Sequence, residues 1–230
     1  MVVAVDGPAG AGKSSVCREL ARRLGFAYLD TGAMYRATAW AVLQSGRQEA
    51  SAEELAEVLK DFPLEFDIRD GSLRILWQGK DVAEDQLRTP QVTAWASRIS
   101  QQKPVRDLLV HWQRRLAAQR DVVAEGRDMT TVVFPDASIK VFLTADLTAR
   151  VRRRLGDYRK MGLDPDPDKL ADEIRMRDEA DAGRALAPLK PAPGAWVVDT
   201  SDLTFEEVVE LLSKRVGSRR PVSHGSSFSL

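Results

Sequence analysis

Gly7-Pro8-Ala9-Gly10-Ala11-Gly12-Lys13-Ser14-Ser15 is the stretch whose reading decides the fold. Glycines at this spacing let the backbone turn tightly, so that consecutive N–H groups point inward as a cradle for phosphate oxygens. The flanks agree with that use. Val2-Val3-Ala4-Val5 is a short continuous apolar run, as expected of a strand covered on both faces. Lys13 to Leu24 has helical spacing, with Val16, Leu20, Ala21 and Leu24 on one face and Gly25 closing it. A functionless Gly-rich turn needs no lysine and serine at the mouth of a helix. Strand, loop, Gly-Lys-Ser and helix in that order read as a phosphate-binding loop. The positive helix end would face the phosphates of ATP or GTP. Lys13 would reach the β- and γ-phosphates, and the Ser14 hydroxyl is placed to ligate Mg²⁺.

Outward from the loop, Ala27 to Asp30 is a second short strand, and Gly32 to Leu43 returns to helix. This βαβα alternation predicts a three-layer α/β domain on a parallel sheet. Further buried strands are expected at Val122-Val123-Ala124, Ile139 to Leu143 and Trp196 to Asp199. A helix is expected over Ala52 to Lys60, another after Pro104, and a last one over Phe205 to Val216. The period changes to two between Leu64 and Trp77, around Asp70-Gly71, which predicts a hairpin. The expected organisation is therefore a core of residues 1–61 and 89–216 carrying a small antiparallel insertion at 62–88. The charged stretch from Thr144 to Ala187 reads as two helices around a loop at Gly162 to Asp168. Residues 217–230 are polar and Ser-rich, and read as a flexible tail containing His224.

Composition removes whole classes of function. The 230 residues carry no net charge, so no global basic field points to nucleic acid as a partner. No apolar run is long enough to span a bilayer, and the first residues lack the features of a signal peptide. One cysteine, Cys17, gives no disulfide framework and fits a reducing cytosol. Cys17 with the separated His111 and His224 makes no zinc site. The chain has no asparagine, a bias of base composition or of a thermophilic source. A guanine-reading Asn-Lys-x-Asp segment is therefore absent, which argues against a GTP switch.

Three other constellations carry chemistry. Asp30-Thr31-Gly32-Ala33-Met34-Tyr35-Arg36 follows the second strand, where a parallel sheet presents its carboxyl ends to a ligand. Arg36 there can clamp a phosphate through two N–H groups. Glu125-Gly126-Arg127-Asp128 follows the strand ending at Ala124. Glu125 is the candidate to orient Mg²⁺ or its waters. The third is the run from Arg150 to Arg184, including Arg152, Arg153, Arg154 and Arg177. Most of its charges read as a solvated helix pair, with a few closing over the reaction as a mobile lid.

Taken together, Gly-Pro-Ala-Gly-Ala-Gly-Lys-Ser-Ser, Leu-Asp-Thr-Gly-Ala-Met-Tyr-Arg, Glu-Gly-Arg-Asp-Met, Thr-Val-Val-Phe-Pro-Asp-Ala and Arg-Asp-Glu-Ala-Asp-Ala-Gly-Arg-Ala-Leu-Ala-Pro-Leu resemble the bacterial cytidylate kinases. The resemblance runs in order over residues 1–216, the insertion included. It implies a five-stranded parallel sheet with a helical lid at about 150–184, and transfer of the γ-phosphoryl of ATP to CMP or dCMP with Mg²⁺. It gives Gly7 to Ser15 to ATP, and Thr31, Arg36 and Arg127 to the acceptor nucleotide. It gives Ser97, Arg106 and Asp128 to the cytosine, and Arg177 and Asp181 to the sugar. Lys13, Arg127, Arg154 and Arg184 are the expected catalytic cations, and Ser14 and Glu125 the expected metal ligands. A monomeric cytoplasmic enzyme acting on small nucleotides is the expectation. Thr130 departs from the resemblance, standing where glycine is usual. Two other readings stay open: a P-loop kinase for another small acceptor such as shikimate, and a regulatory module that binds nucleotide without turnover.

Overall fold

A computed structural model of the chain describes residues 1–48, 50–160 and 162–219. The expected tail, with His224, continues over 220–230, outside the described residues. In chain order the elements are β1 (Val2–Asp6), α1 (Lys13–Leu24), β2 (Ala27–Asp30), α2 (Thr31–Gln44), α3 (Ala52–Lys60), β3 (Leu64–Arg69), β4 (Ser72–Trp77), β5 (Lys80–Asp81), α4 (Glu84–Leu87), α5 (Pro90–Ile99), α6 (Lys103–Ala117), β6 (Val122–Gly126), a wide π-type turn (Met129–Val133), β7 (Ile139–Thr144), α7 (Leu147–Lys160), α8 (Pro167–Ala182), β8 (Trp196–Asp199) and α9 (Phe205–Gly217).

Six strands run parallel, β2-β6-β1-β7-β8 with β4 joining them beside β2. Alternate residues of β1 point to opposite faces: Val3 and Val5 join Leu20, Val209 and Leu212 of α1 and α9 on one side. Ala4 joins Met34, Leu55 and Leu109 of α2, α3 and α6 on the other. Both faces are covered, which is why these strands are continuously apolar. The layers are helix, sheet and helix, as the alternation of elements requires.

The sheet is larger than the five strands expected: the insertion extends it to eight, in the order β3-β4-β2-β6-β1-β7-β8 with β5 on β4. Asp70 and Gly71 both have positive φ, 51° and 73°, which makes the two-residue turn that suits the twist of a hairpin. The turn brings Gly71 against the sheet edge, where its carbonyl accepts from Tyr28 N at 2.8 Å, and Ser72 falls opposite Tyr28. Strand β5 and the short helix α4 were not legible as separate elements. Helix α9 includes Gly217, one residue into the expected tail.

Candidate active site

The carboxyl ends of the parallel strands open into one cleft of about 840 Å³. The phosphate-binding loop forms its floor. Gly7 has φ of 151°, and a Cβ there would stand 2.0 Å from the Leu143 carbonyl oxygen, so only glycine lets the loop leave β1 this close to β7. Ala9 to Ser15 line the cleft, while Gly7 and Pro8 are not among its lining residues. Pro8 instead offers its carbonyl to Lys13 Nζ at 2.8 Å. Burial pulls the Lys13 ammonium down to about 7, and the Arg127 charge acts in the same sense.

Beside Lys13 the oxygen donors gather. The Glu125 carboxylate accepts from the Tyr28 hydroxyl at 2.5 Å, and the nearby Ser14 hydroxyl favours its charged form. Burial pushes the Glu125 carboxyl up, and the Asp30 charge adds to that. Asp30 caps α2 by accepting from Ala33 N at 2.8 Å and accepts from Arg36 Nη2 at 3.2 Å. The Thr31 hydroxyl donates to the Glu125 carbonyl at 2.6 Å, tying α2 to the end of β6. These groups are all hard oxygen ligands. Among the described residues no cluster of three or more His, Cys, Asp or Glu side chains makes a protein cage for a metal.

In the same cleft, Arg106 of α6 donates through Nη2 to Asp128 Oδ2. Both side chains are more than nine-tenths buried. Arg106 Nη1 lies 3.4 Å from the Tyr35 hydroxyl, whose proton burial holds up to about 12. Ser97 lines the cleft too. A buried carboxylate beside a guanidinium presents an acceptor and donors side by side, a pattern that reads a polar heterocycle edge.

The cleft is also lined by arginines. Arg127 Nε donates to Asp181 Oδ2 at 2.7 Å, and Arg184 Nη2 donates to Asp181 Oδ1. Burial alone pushes the Asp181 carboxyl up, but Arg127 and Arg184 more than reverse this and hold it below the usual carboxylate range. Arg177 lies close by, and burial beside the Arg127 charge pulls it down to about 10. Arg36 Nε and Arg184 Nε are buried without a hydrogen-bond partner among the described residues. A cleft with this many crowded cations is suited to anions.

The structure also sorts the expected lid arginines. Arg152, Arg153, Arg154, Arg177 and Arg184 line the cleft, but Arg150 does not. Arg150 pairs with Asp178 at 2.5 Å and reaches the Ala9 carbonyl at 3.3 Å, joining α7, α8 and the phosphate loop. Apart from Gly7, Pro8 and Arg150, the expected site residues all line one cleft.

Several residues here were missed by sequence reasoning. Tyr35 stood inside a quoted motif, where its neighbour Arg36 took the attention. Arg88, at the end of the insertion, lines the cleft and pairs with Glu84 at 2.5 Å. Asp6 is fully buried and accepts from Met129 N, Thr130 N and the Thr130 hydroxyl. Its signal was present, an acidic residue ending an apolar strand, the same cue that picked out Glu125.

The sequence model of the family described as cytidylate kinase matches residues 3–218. A cytidylate kinase of Caldicellulosiruptor saccharolyticus is 44% identical over 94% of this chain and 97% of its own length. One of Pseudomonas aeruginosa is 45% identical over 92% of this chain and 93% of its own. A solved structure of an uncharacterized protein from Eubacterium ventriosum shares the fold, with a TM-score of 0.50 at 11% identity over 95% of this chain and 99% of that one.

Proposed function

The chain belongs to the cytidylate kinase family, and from that premise we propose that it transfers the γ-phosphoryl group of ATP to CMP or dCMP, giving ADP and the nucleoside diphosphate. One observation carries the reading: the buried Arg106–Asp128 pair lines the same cleft as the phosphate-binding loop. Cytosine offers an amino donor at N4 and acceptors at N3 and O2. Asp128 accepts from that edge, and Arg106 and Ser97 complete it. Uracil would set its own O4 acceptor against Asp128 and leave a buried acceptor unpaired, which is costly.

The acceptor group is a phosphate whose second pKa is about 6. It is already an anionic nucleophile at neutral pH, so the site needs no general base. What remains is to bring two anions into line and neutralise them. Ala9 to Ser15 hold the donor phosphates. Arg36 and Arg127 hold the acceptor phosphate beside Thr31, and Arg177 and Asp181 hold the sugar. Lys13, Arg127, Arg154 and Arg184 surround the group in transfer. Residues from about 150 to 184 act as a lid over the core of 1–61 and 89–216, excluding water from the transfer. The insertion at 62–88 stands on the monophosphate side.

Ser14 and Glu125, with Asp30 nearby, fit Mg²⁺: they are oxygen donors, too few for a cage, as suits an ion that keeps phosphates and waters as its other ligands. The ion would add charge neutralisation at the phosphates. Among the described residues no helix is long and apolar enough to cross a membrane. On this reading the partners are small nucleotides. The working unit on this reading is a monomer in the cytoplasm, where a lone thiol such as Cys17 stays reduced.

The direct test incubates the protein with Mg²⁺, ATP and CMP and resolves the nucleotides by chromatography. CDP and ADP should appear in equal amounts. ATP loss without CDP, or no turnover despite ATP binding, would reject the reading.

A further inference from the structure

We propose that Asp6 and Thr130 are positioning residues for base selection: through them the strand that ends at the phosphate loop fixes where Asp128 stands. The inference rests on the reading of Asp128 as the residue that meets the acceptor base.

Asp128 opens a turn with an unusual construction. Val132 N and Val133 N both donate to the Asp128 carbonyl, at 2.9 and 3.1 Å, and Phe134 N donates to the Met129 carbonyl at 2.7 Å. Wide turns of this kind are uncommon and cluster at functional sites. This one is held from both ends. On its N–H side, Asp6 Oδ1 accepts from Met129 N at 2.8 Å, and Asp6 Oδ2 accepts from Thr130 N at 2.7 Å and from Thr130 Oγ1 at 2.6 Å. On its carbonyl side, Arg114 of α6 donates to Val133 O at 2.9 Å and to Val132 O at 2.8 Å. The same helix carries Arg106, the partner of the Asp128 carboxylate. Asp128 is thus set at one side by its own side chain and at the other by a turn that Asp6 and Arg114 pin.

A buried carboxylate is an expensive fastener. Asp6 is fully buried, and it is the three donors from the turn that make it tolerable. An apolar residue would serve packing at less cost. A polar group retained here instead selects one arrangement of the turn, because any other leaves it unsatisfied. The Thr130 hydroxyl supplies one of the two bonds to Oδ2. Without it that oxygen keeps a single donor, and the turn loses its tightest hold one residue after Met129. Because Asp6 immediately precedes Gly7, the same residue anchors the donor loop at one end and the base-reading turn through its side chain.

The test compares kcat/KM for CMP and UMP in wild type, Thr130→Val, Thr130→Ser and Asp128→Asn. The CMP-to-UMP ratio does not depend on the fraction of enzyme folded, so a partly unstable variant still reports. Thr130→Val should lower the ratio by roughly three- to tenfold, the scale of one partly lost hydrogen bond, through KM for CMP with kcat little changed. Thr130→Ser, which keeps the hydroxyl, should restore it. An unchanged ratio in Thr130→Val beside a lowered one in Asp128→Asn overturns the positioning role and leaves base reading standing. Equal losses in the Val and Ser variants overturn it too, since volume rather than the hydroxyl would then act. An unchanged ratio in Asp128→Asn removes base reading, and the positioning role falls with it.

Discussion

Arg127 Nε donates to Asp181 Oδ2 at 2.7 Å, which binds the loop after a central sheet strand to the last turn of α8. Arg184 takes the other oxygen of the same carboxylate. Asp181 therefore bridges two arginines that line the cleft, with Arg177 adding to the field. Its charge holds a set of cations in place that would otherwise repel one another.

Replacing Asp181 by Asn should destabilise the fold in a pH-dependent way. Removing one partner of a buried charge pair costs about 3–5 kcal/mol, and the amide keeps one acceptor, so the lower end is expected. The Asp181 carboxyl is held below its ordinary value of 3.8 in the folded chain. Its stabilisation is thus fully present above that value and is lost as pH falls through the lower folded one. In thermal melts the gap between wild type and Asp181→Asn should be widest near neutrality and close below about pH 4. A gap that stays constant or grows in acid would contradict the assignment of charge.

Lys13→Ala and Arg127→Ala should each give a folded protein whose kcat falls by roughly two to four decades. Melting curves establish the fold and steady-state assays the rate. Turnover near that of wild type in either variant would remove that residue from the transfer.

Glu125→Gln should shift the metal requirement. The Ser14 hydroxyl stays but the ionised oxygen is gone, so the free Mg²⁺ giving half-maximal rate at fixed ATP should rise by about tenfold or more. An unchanged Mg²⁺ curve would place the ion away from Glu125.

Two glycines with positive φ should respond differently to alanine. At Gly46, φ is 68° and a new Cβ meets nothing within 4 Å, so Gly46→Ala should cost about 1 kcal/mol of backbone strain. At Gly7 the Cβ would overlap the Leu143 carbonyl oxygen at 2.0 Å. Gly7→Ala must move a central strand or the phosphate loop, and its loss in chemical denaturation should be at least twice that of Gly46→Ala. Equal losses would show that the loop leaves β1 with more room than this.

The parts legible in the sequence were those with local causes. The glycine spacing from Gly7 to Gly12, the period-two run around Asp70-Gly71 and the apolar strand before Glu125 each carry their own cue. The rest depends on partners distant in the chain. Nothing in the spacing of Met129 to Val133 marks a wide turn; Asp6, 123 residues from Met129, and Arg114 shape it. The hairpin's place in the sheet follows from Tyr28 meeting Ser72, a register that no local pattern states. Nor could charge density alone tell Arg150, spent on Asp178, from Arg154, which lines the cleft.

The most direct test of cytosine selection puts CMP, UMP, AMP and shikimate at equal concentration in one tube with limiting MgATP and resolves the products. Product yields at low conversion give the ratios of kcat/KM. A hydrogen-bonding site for the cytosine edge predicts that CDP exceeds each rival product by about two decades or more. Comparable yields, or a different dominant product, would contradict the roles given to Ser97, Arg106 and Asp128.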